Sequence, residues 1–156
     1  MAKRTRDCLL CEEVREEFRK ESLYWIADLR ASTAFVARNQ VCRGYVVLIY
    51  NRAHVTELYH LRREDRIAFM DDLVDIASAI DRAYSPHKMN YELLGNLVPH
   101  LHWHIIPRRK SDQIELAQPV LGKDYAQVRL SPEEYAEIIA ELRTHLQDIV
   151  ADTVGG

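Results

Sequence analysis

A short segment near residue 100 constrains this chain more than any other, because apolar residues and histidines alternate along it. Leu101, Trp103 and Ile105 are apolar, and a histidine stands on each side of Trp103. A period of two is typical of a β-strand that buries one face and leaves the other open. The sequence therefore predicts a strand over residues 101–107 whose apolar side faces the core and whose histidines share the opposite face.

The histidines of this segment are His100, His102 and His104. On one face of a strand, successive members of the set stand about 7 Å apart. Imidazoles this close together cannot all be protonated at low cost, so we expect a partner, either a metal ion or an anion. A neutral imidazole is also a nucleophile at pH 7, and its phosphoryl adduct is labile enough for water to release. A zinc site and a phosphate-handling site are both open at this point.

The rest of the chain predicts an α+β fold. An apolar stripe with helical spacing runs over residues 62–84 and ends before Pro86. A second helix is expected after Ser131, an N-cap residue that is followed by Pro132 and by Glu134. Short turns between strands favour antiparallel pairing. The other predicted elements are a short helix over residues 12–20, strands over residues 23–28, 32–37, 45–50 and 89–94, and a loop over residues 109–130.

Length and charge limit the function classes. The 156 residues suit a single domain over residues 1–156, with a core at about 8–151 and flexible tips at 1–6 and 152–156. The net charge of −3 gives no overall attraction to nucleic acid or to an anionic membrane, so neither is expected as a partner. No apolar run is long enough to cross a membrane and no signal core follows the N-terminus, which predicts a cytoplasmic protein.

The segment from His100 to Ile106 resembles the signature of the histidine triad (HIT) family, three histidines alternating with apolar residues. Residues 95–99 and 107–108 resemble its flanks, and the likeness covers roughly residues 8–108. It implies an α+β unit on an antiparallel sheet of about five strands with two main packing helices, paired as a homodimer. It also implies hydrolysis or transfer at the α-phosphate of a nucleotide, with substrates such as diadenosine tetraphosphate, another dinucleoside polyphosphate, a nucleoside phosphoramidate or an acyl adenylate.

The same resemblance implies roles for individual residues. His102 matches the nucleophile, which would form a nucleotidyl-histidine intermediate that water resolves. His104 matches the histidine that supports the phosphate and the leaving group, and His100 matches the first of the three. We therefore interpret all three as catalytic. The residues that the resemblance and its flanks suggest for substrate binding are Asn90, Asn96, Asn39, Tyr45 and Arg108.

Two departures from the family pattern bear on the function. Many members have Pro-Gly-His where this chain has Arg43-Gly44-Tyr45, so an auxiliary histidine is replaced by tyrosine. Members also often place Asp or Asn on the ribose at the position of Ala37, and Asn39 is a nearby substitute. These departures keep open a nucleotide-binding or signalling module with little turnover. A nucleotidyl transferase or phosphorylase of the same family is a further alternative.

Cys8 and Cys11 form a Cys-x-x-Cys pair, which by itself fits a zinc knuckle, a redox pair or coincidence. A thioredoxin-like redox pair needs a preceding strand, for which only seven residues are available. The family resemblance supplies two further ligands, His54 in a loop and the first triad histidine, His100. It thus implies a structural zinc ion held by Cys8, Cys11, His54 and His100. A catalytic zinc held by the triad itself is the competing interpretation.

Overall fold

Five strands and four helices make up the part of the chain that the computed structural model describes, residues 7–155. The sheet is antiparallel throughout, with the strand order β1-β2-β3-β5-β4. The predicted α+β fold is confirmed, whereas the predicted tip at residues 1–6 lies outside the described residues. In chain order the elements are α1 (Leu9–Glu13), α2 (Glu16–Glu21), β1 (Trp25–Asp28), β2 (Ser32–Val36), β3 (Val46–Tyr50), a 3₁₀ turn (Leu58–His60), α3 (Arg63–Tyr84), β4 (Lys88–Glu92), β5 (His102–Arg108) and α4 (Pro132–Val154).

The alternating strand β5 places its apolar residues under the two long helices, as predicted. Ile105 and Leu101 are buried in the main core together with Ile138 of α4. The ring of Trp103 lies 6.2 Å from that of Phe69 of α3. Because this face of the sheet is the core, the histidines of β5 are left on the opposite face.

Helix α4 begins where the sequence predicted. The Ser131 hydroxyl accepts a hydrogen bond from the Glu134 N–H at 3.2 Å, and the Glu134 carboxylate accepts one from the Ser131 N–H at 2.9 Å. This reciprocal capping satisfies two N–H groups at the helix start. The helix continues to Val154, so residues 152–154 of the predicted flexible tip are helical.

The prediction of one helix over residues 12–20 is wrong, because two short helices, α1 and α2, meet there instead. Val14 ends α1, and Arg15 has an extended backbone with ψ of 143°. Val14 is buried against Phe35 and Ile49 of the sheet, on the side opposite the long helices. Turning this valine into the sheet interrupts the helix.

The outer side of α3 carries an apolar row that the sheet does not cover. Ile67, Met70 and Val74, all part of the predicted stripe, are 45%, 47% and 54% exposed. The neighbouring row with Phe69 and Leu73 packs on the core instead. Among the described residues no helix has both the length and the apolar content for crossing a membrane.

Candidate active site and metal cluster

His102 and His104 stand side by side on the face of β5 that the helices leave open. They lie opposite Ile49 and Val47 of β3, and their ring centroids are 4.8 Å apart. Both line a pocket of about 400 Å³, which is within the usual size of a small-molecule site. The other residues that line this pocket are Leu10, Glu13, Phe35, Val36, Ala37, Arg38, Asn39, Tyr45, Val47, Ile49, Val98, Leu121, Tyr125 and Gln127.

A backbone carbonyl fixes the tautomer of His102. Its Nδ1 lies 2.6 Å from the carbonyl oxygen of His100. A carbonyl oxygen only accepts hydrogen bonds, so Nδ1 carries a proton, and in the neutral ring the lone pair is then on Nε2. The imidazole is therefore held in the form that can attack an electrophile through Nε2.

His104 is paired with a tyrosine. Its Nδ1 lies 2.5 Å from the Tyr45 hydroxyl. Burial, together with the neighbouring His102, lowers the pKa of His104 to about 4, so this ring is neutral at pH 7. Burial also raises the pKa of Tyr45 well above its ordinary value, which keeps the hydroxyl protonated. The hydroxyl can therefore donate to Nδ1, which leaves the proton of His104 on Nε2.

Two cysteines and two histidines form a compact cluster beside this strand. The Cys11 Sγ lies 3.3 Å from Nδ1 of His54 and 3.4 Å from Nδ1 of His100, and the Cys8 Sγ lies 3.6 Å from the same His100 atom. All four ligand atoms lie within 4.8 Å of one another. A tetrahedral zinc ion with ordinary bond lengths separates its sulfur and nitrogen ligands by about 3.6 Å. The donor set and its spacing thus fit zinc.

Three separate chain segments converge on the cluster, and hydrogen bonds hold each in place. Cys8, the N-cap residue of α1, and Cys11, in its first turn, are three residues apart, which brings both sulfurs to one side. The Leu101 N–H donates to the Val55 carbonyl at 2.8 Å and thereby ties the loop of His54 to the start of β5. Nε2 of His100 lies 2.7 Å from the Tyr50 carbonyl oxygen, which places the proton on Nε2 and leaves Nδ1 for a metal.

The structure separates His100 from the other two triad histidines. It precedes β5 and is almost completely buried, and both of its ring nitrogens are engaged, one towards the cluster and one with Tyr50. The predicted alignment of three rings on one strand face therefore holds for His102 and His104 only. The contribution of His100 to the open face is its carbonyl oxygen, which binds His102.

The residues suggested for substrate binding fall into two groups. Tyr45 and Asn39 line the pocket, and the Asn39 side-chain oxygen accepts a hydrogen bond from the Val128 N–H at 2.9 Å. Asn96 is exposed in the loop before β5 and is not among the residues that line the described pocket. Asn90 accepts a hydrogen bond from Arg108 at 3.0 Å, so these two interact with each other.

The interpretation of Arg108 as a substrate ligand does not fit its surroundings. Its side chain is 0% exposed, and all five of its N–H groups have acceptors. The acceptors are side-chain oxygens of Asp112 and Asn90 and the carbonyl oxygens of Gln118, Ile114 and Glu115. Arg108 therefore organises the loop of residues 109–130 from within and has no donor left for a phosphate.

Sequence reasoning missed the polar residues that shape the pocket from its loops, namely Glu13, Arg38, Tyr125 and Gln127. It also missed Gln40, whose buried amide bonds the Ala37 and Tyr45 carbonyls and the Gly44 N–H, and so fixes the turn that presents Tyr45. The sequence of a turn does not show whether the side-chain amide of a single glutamine is buried or exposed to solvent.

A family model for the HIT domain matches residues 11–111, which are 101 of the 156 residues. The chain belongs to the HIT domain family. An asymmetrical bis(5′-nucleosyl)-tetraphosphatase of Schizosaccharomyces pombe is 31% identical over an alignment of 88 positions that covers 53% of this chain. The alignment covers 48% of the yeast protein, so the chain spans about half the length of the curated relative that it matches.

Solved HIT structures share the fold. A histidine triad protein from Bradyrhizobium japonicum has a TM-score of 0.73 and 26% identity, over 85% of this chain and 96% of that one. A histidine triad protein from Marinobacter aquaeolei has a TM-score of 0.73 at 24% identity, over 86% and 96%. A zinc-bound histidine triad family protein from Mycobacterium smegmatis has a TM-score of 0.65 at 19% identity, over 94% and 97%. The last two likenesses concern the fold alone.

Proposed function

We propose that this HIT protein is a nucleotide hydrolase that acts at the α-phosphate of a dinucleoside polyphosphate or a nucleoside phosphoramidate. The observation that carries the proposal is the orientation of His102, whose Nδ1 proton is held by the His100 carbonyl so that the Nε2 lone pair is available. Membership of the HIT family and the likeness to the yeast tetraphosphatase agree with it.

The proposed reaction has two displacements at phosphorus. Nε2 of His102 attacks the α-phosphorus, a P–N bond forms, and the bond to the leaving phosphate or amine breaks. A leaving amine takes up a proton from solvent. The imidazole then carries a positive charge, which the His100 carbonyl stabilises through the Nδ1 proton. Water attacks the same phosphorus and gives up a proton to solvent, the P–N bond breaks, and the electron pair returns to Nε2 with release of the nucleoside monophosphate.

His104 is the proposed donor to the phosphate. With the Tyr45 hydroxyl on Nδ1, the Nε2 proton of His104 can donate a hydrogen bond to a phosphate oxygen. The ring is neutral because its pKa lies near 4, so it supplies a directed N–H rather than a full charge. In this arrangement Tyr45 takes the place of the auxiliary histidine of the family pattern, without titrating near pH 7.

We also propose that the cluster of Cys8, Cys11, His54 and His100 binds a structural Zn²⁺ ion. Four protein ligands close the coordination shell and leave no position for water or substrate. When bound, the ion cross-links α1, the loop after β3 and the start of β5. The donor spacing supports this assignment, and a zinc-bound relative of the same fold is consistent with it.

The central test compares the wild type with His102→Ala on diadenosine tetraphosphate and on adenosine phosphoramidate, with products separated by chromatography. We expect the variant to lose nucleoside monophosphate release while its circular dichroism and melting temperature are unchanged. His87→Ala is the matched control, because His87 is exposed and does not line the pocket. Full activity of His102→Ala would contradict the assignment of the nucleophile.

Two variations separate the alternatives. With inorganic phosphate in the assay, a phosphorylase would convert the transferred nucleotide to nucleoside diphosphate, whereas a hydrolase would convert it to nucleoside monophosphate. The leaving group is the same in both cases. Binding of the same substrates without any product would identify a nucleotide-binding module. The hydroxyl of Tyr45, already bonded to His104, favours turnover over the module.

We further propose that the protein is a homodimer, as its family resemblance implies. Val74, the last residue of the uncovered row on α3, shares a surface cleft with Met89 and Tyr91 of β4, and β4 is an edge strand. Tyr91 is exposed as well. An apolar surface next to an unpaired strand edge favours association with a second copy. Light scattering should give twice the chain mass for the wild type and the chain mass for Val74→Arg. A monomeric wild type would refute this proposal.

A further inference from the structure

One carboxylate lies in the pocket, and neither the histidine signature nor its flanks include it. Glu13, at the end of α1, is the only acidic residue among the described residues that line the pocket. Its side chain is 27% exposed, and one of its oxygens lies 3.5 Å from Nη2 of Arg38. Leu10, three residues earlier on the same helix, also lines the pocket, so this side of α1 forms one wall.

The position of Glu13 follows from the metal cluster. The same short helix carries Cys8 and Cys11, whose sulfurs lie beside the histidines of the cluster. Val14, the next residue, is buried against the sheet. These contacts on either side of Glu13 fix the end of α1 and hold the carboxylate at the pocket.

The chemistry of the pocket limits what a carboxylate can bind. A phosphate at His102 and His104 would be repelled by an adjacent negative charge, so Glu13 suits an uncharged part of the ligand that donates hydrogen bonds. The ribose of a nucleotide offers two neighbouring hydroxyls, and a carboxylate can accept from both. The end of β2 supplies no side-chain acceptor, because Ala37 stands there. The floor of Phe35, Val47 and Ile49 is apolar and suits a base.

We propose that Glu13 binds the ribose hydroxyls and makes the site selective for ribonucleotides over deoxyribonucleotides. This inference rests on the proposed nucleotide activity and adds the residue that selects the sugar. Arg38 beside the carboxylate orients it.

The test measures kcat/KM for adenosine phosphoramidate and for its 2′-deoxy and 3′-deoxy analogues. For the wild type we expect each missing hydroxyl to lower kcat/KM by about ten- to a hundredfold, the value of a hydrogen bond to a charged group. In Glu13→Gln and in Glu13→Ala, the ratio of kcat/KM for the ribose substrate to kcat/KM for each deoxy analogue should fall to within about threefold of one, because the charged acceptor is gone. A role in packing alone would not change the ratio between two substrates that differ by one hydroxyl.

Glu12→Gln is the matched control, since Glu12 is the neighbouring carboxylate and is exposed outside the pocket. It should keep the full preference for ribose. The inference would be overturned by a wild type that does not distinguish ribose from deoxyribose, or by a Glu13→Gln variant that still does. As long as these proteins turn over the nucleotide, the proposed function stands in either case. A wild type that neither binds nor converts any of these nucleotides would overturn both.

Discussion

Replacing Arg108 tests whether this residue belongs to the substrate site or to the scaffold. We predict that Arg108→Met lowers the stability of the fold and leaves the affinity for nucleotide nearly unchanged. The substitution keeps an unbranched side chain but removes all five donors. It leaves Asp112, which is 6% exposed, without its cationic partner. It also removes the Arg108 donors from the Gln118, Ile114 and Glu115 carbonyl oxygens, of which Glu115 keeps the Gln118 N–H.

The size of the effect follows from these contacts. Breaking a buried ion pair by removing one partner costs about 3–5 kcal/mol, because the remaining charge is uncompensated. The Arg109 N–H still donates to Asp112 at 2.8 Å, which keeps the expected loss in free energy of unfolding within that range. At about 2.1 cal/mol/K of unfolding entropy per residue, 156 residues convert it to a fall in melting temperature of roughly 10–15 °C.

The assay is thermal and urea unfolding followed by circular dichroism, together with KM for the nucleotide substrate below the melting range. Lys110→Met is the matched control, because Lys110 lies two residues after Arg108 and the substitution removes the same charge from an exposed side chain. It should change the free energy of unfolding by less than about 0.5 kcal/mol. An unchanged melting temperature with a large increase in KM for Arg108→Met would refute the reasoning and restore Arg108 as a substrate ligand.

The remaining predictions concern the metal cluster and pH. The double variant Cys8→Ser, Cys11→Ser should purify without stoichiometric zinc, measured by elemental analysis, and should melt at a lower temperature. Cys42→Ser is the control and should keep the metal, because Cys42 is a buried thiol outside the cluster. Retained zinc in the double variant would point to the histidines of the open face as ligands. For His104, a pKa lowered from 6.5 to about 4 means that the unfolded chain binds the extra proton first, so the stability of the fold declines as the pH falls from about 6.5 to about 4. The loss amounts to about 3 kcal/mol, and unfolding curves for His104→Gln should lack this part of the pH dependence. Curves for the two proteins that run parallel would show that burial does not depress this pKa.

The elements that local pattern determines could be predicted from the sequence. The alternation of Leu101, Trp103 and Ile105 placed β5 and its core face, and Ser131 with Glu134 placed the start of α4. Each of these depends on interactions between residues a few positions apart, for which the periodicity of the chain is direct evidence.

The residues whose roles differ from the prediction depend on distant partners. The ring of His100 turns away from the strand face and towards Cys8 and Cys11, about 90 residues earlier, whose sulfurs contact its Nδ1. The side chain of Arg108 turns inward because the following loop folds back and its carbonyl oxygens accept hydrogen bonds from the guanidinium group. No sequence motif predicts these backbone acceptors. Neither orientation is encoded in the spacing of neighbouring residues.

His100 links the metal cluster to the proposed chemistry through a single peptide unit. Its ring nitrogens are fixed by the cluster and by the Tyr50 carbonyl, and its own carbonyl oxygen accepts a hydrogen bond from the Nδ1–H of His102, with 2.6 Å between nitrogen and oxygen. A shift of the His100 ring therefore moves the acceptor that sets the tautomer of His102. Helix α1 makes a second link, because it carries two ligands of the cluster and the pocket residue Glu13. A metal with a closed shell, which touches no substrate, would thus act on both the nucleophile and the sugar site by holding the segments that carry them.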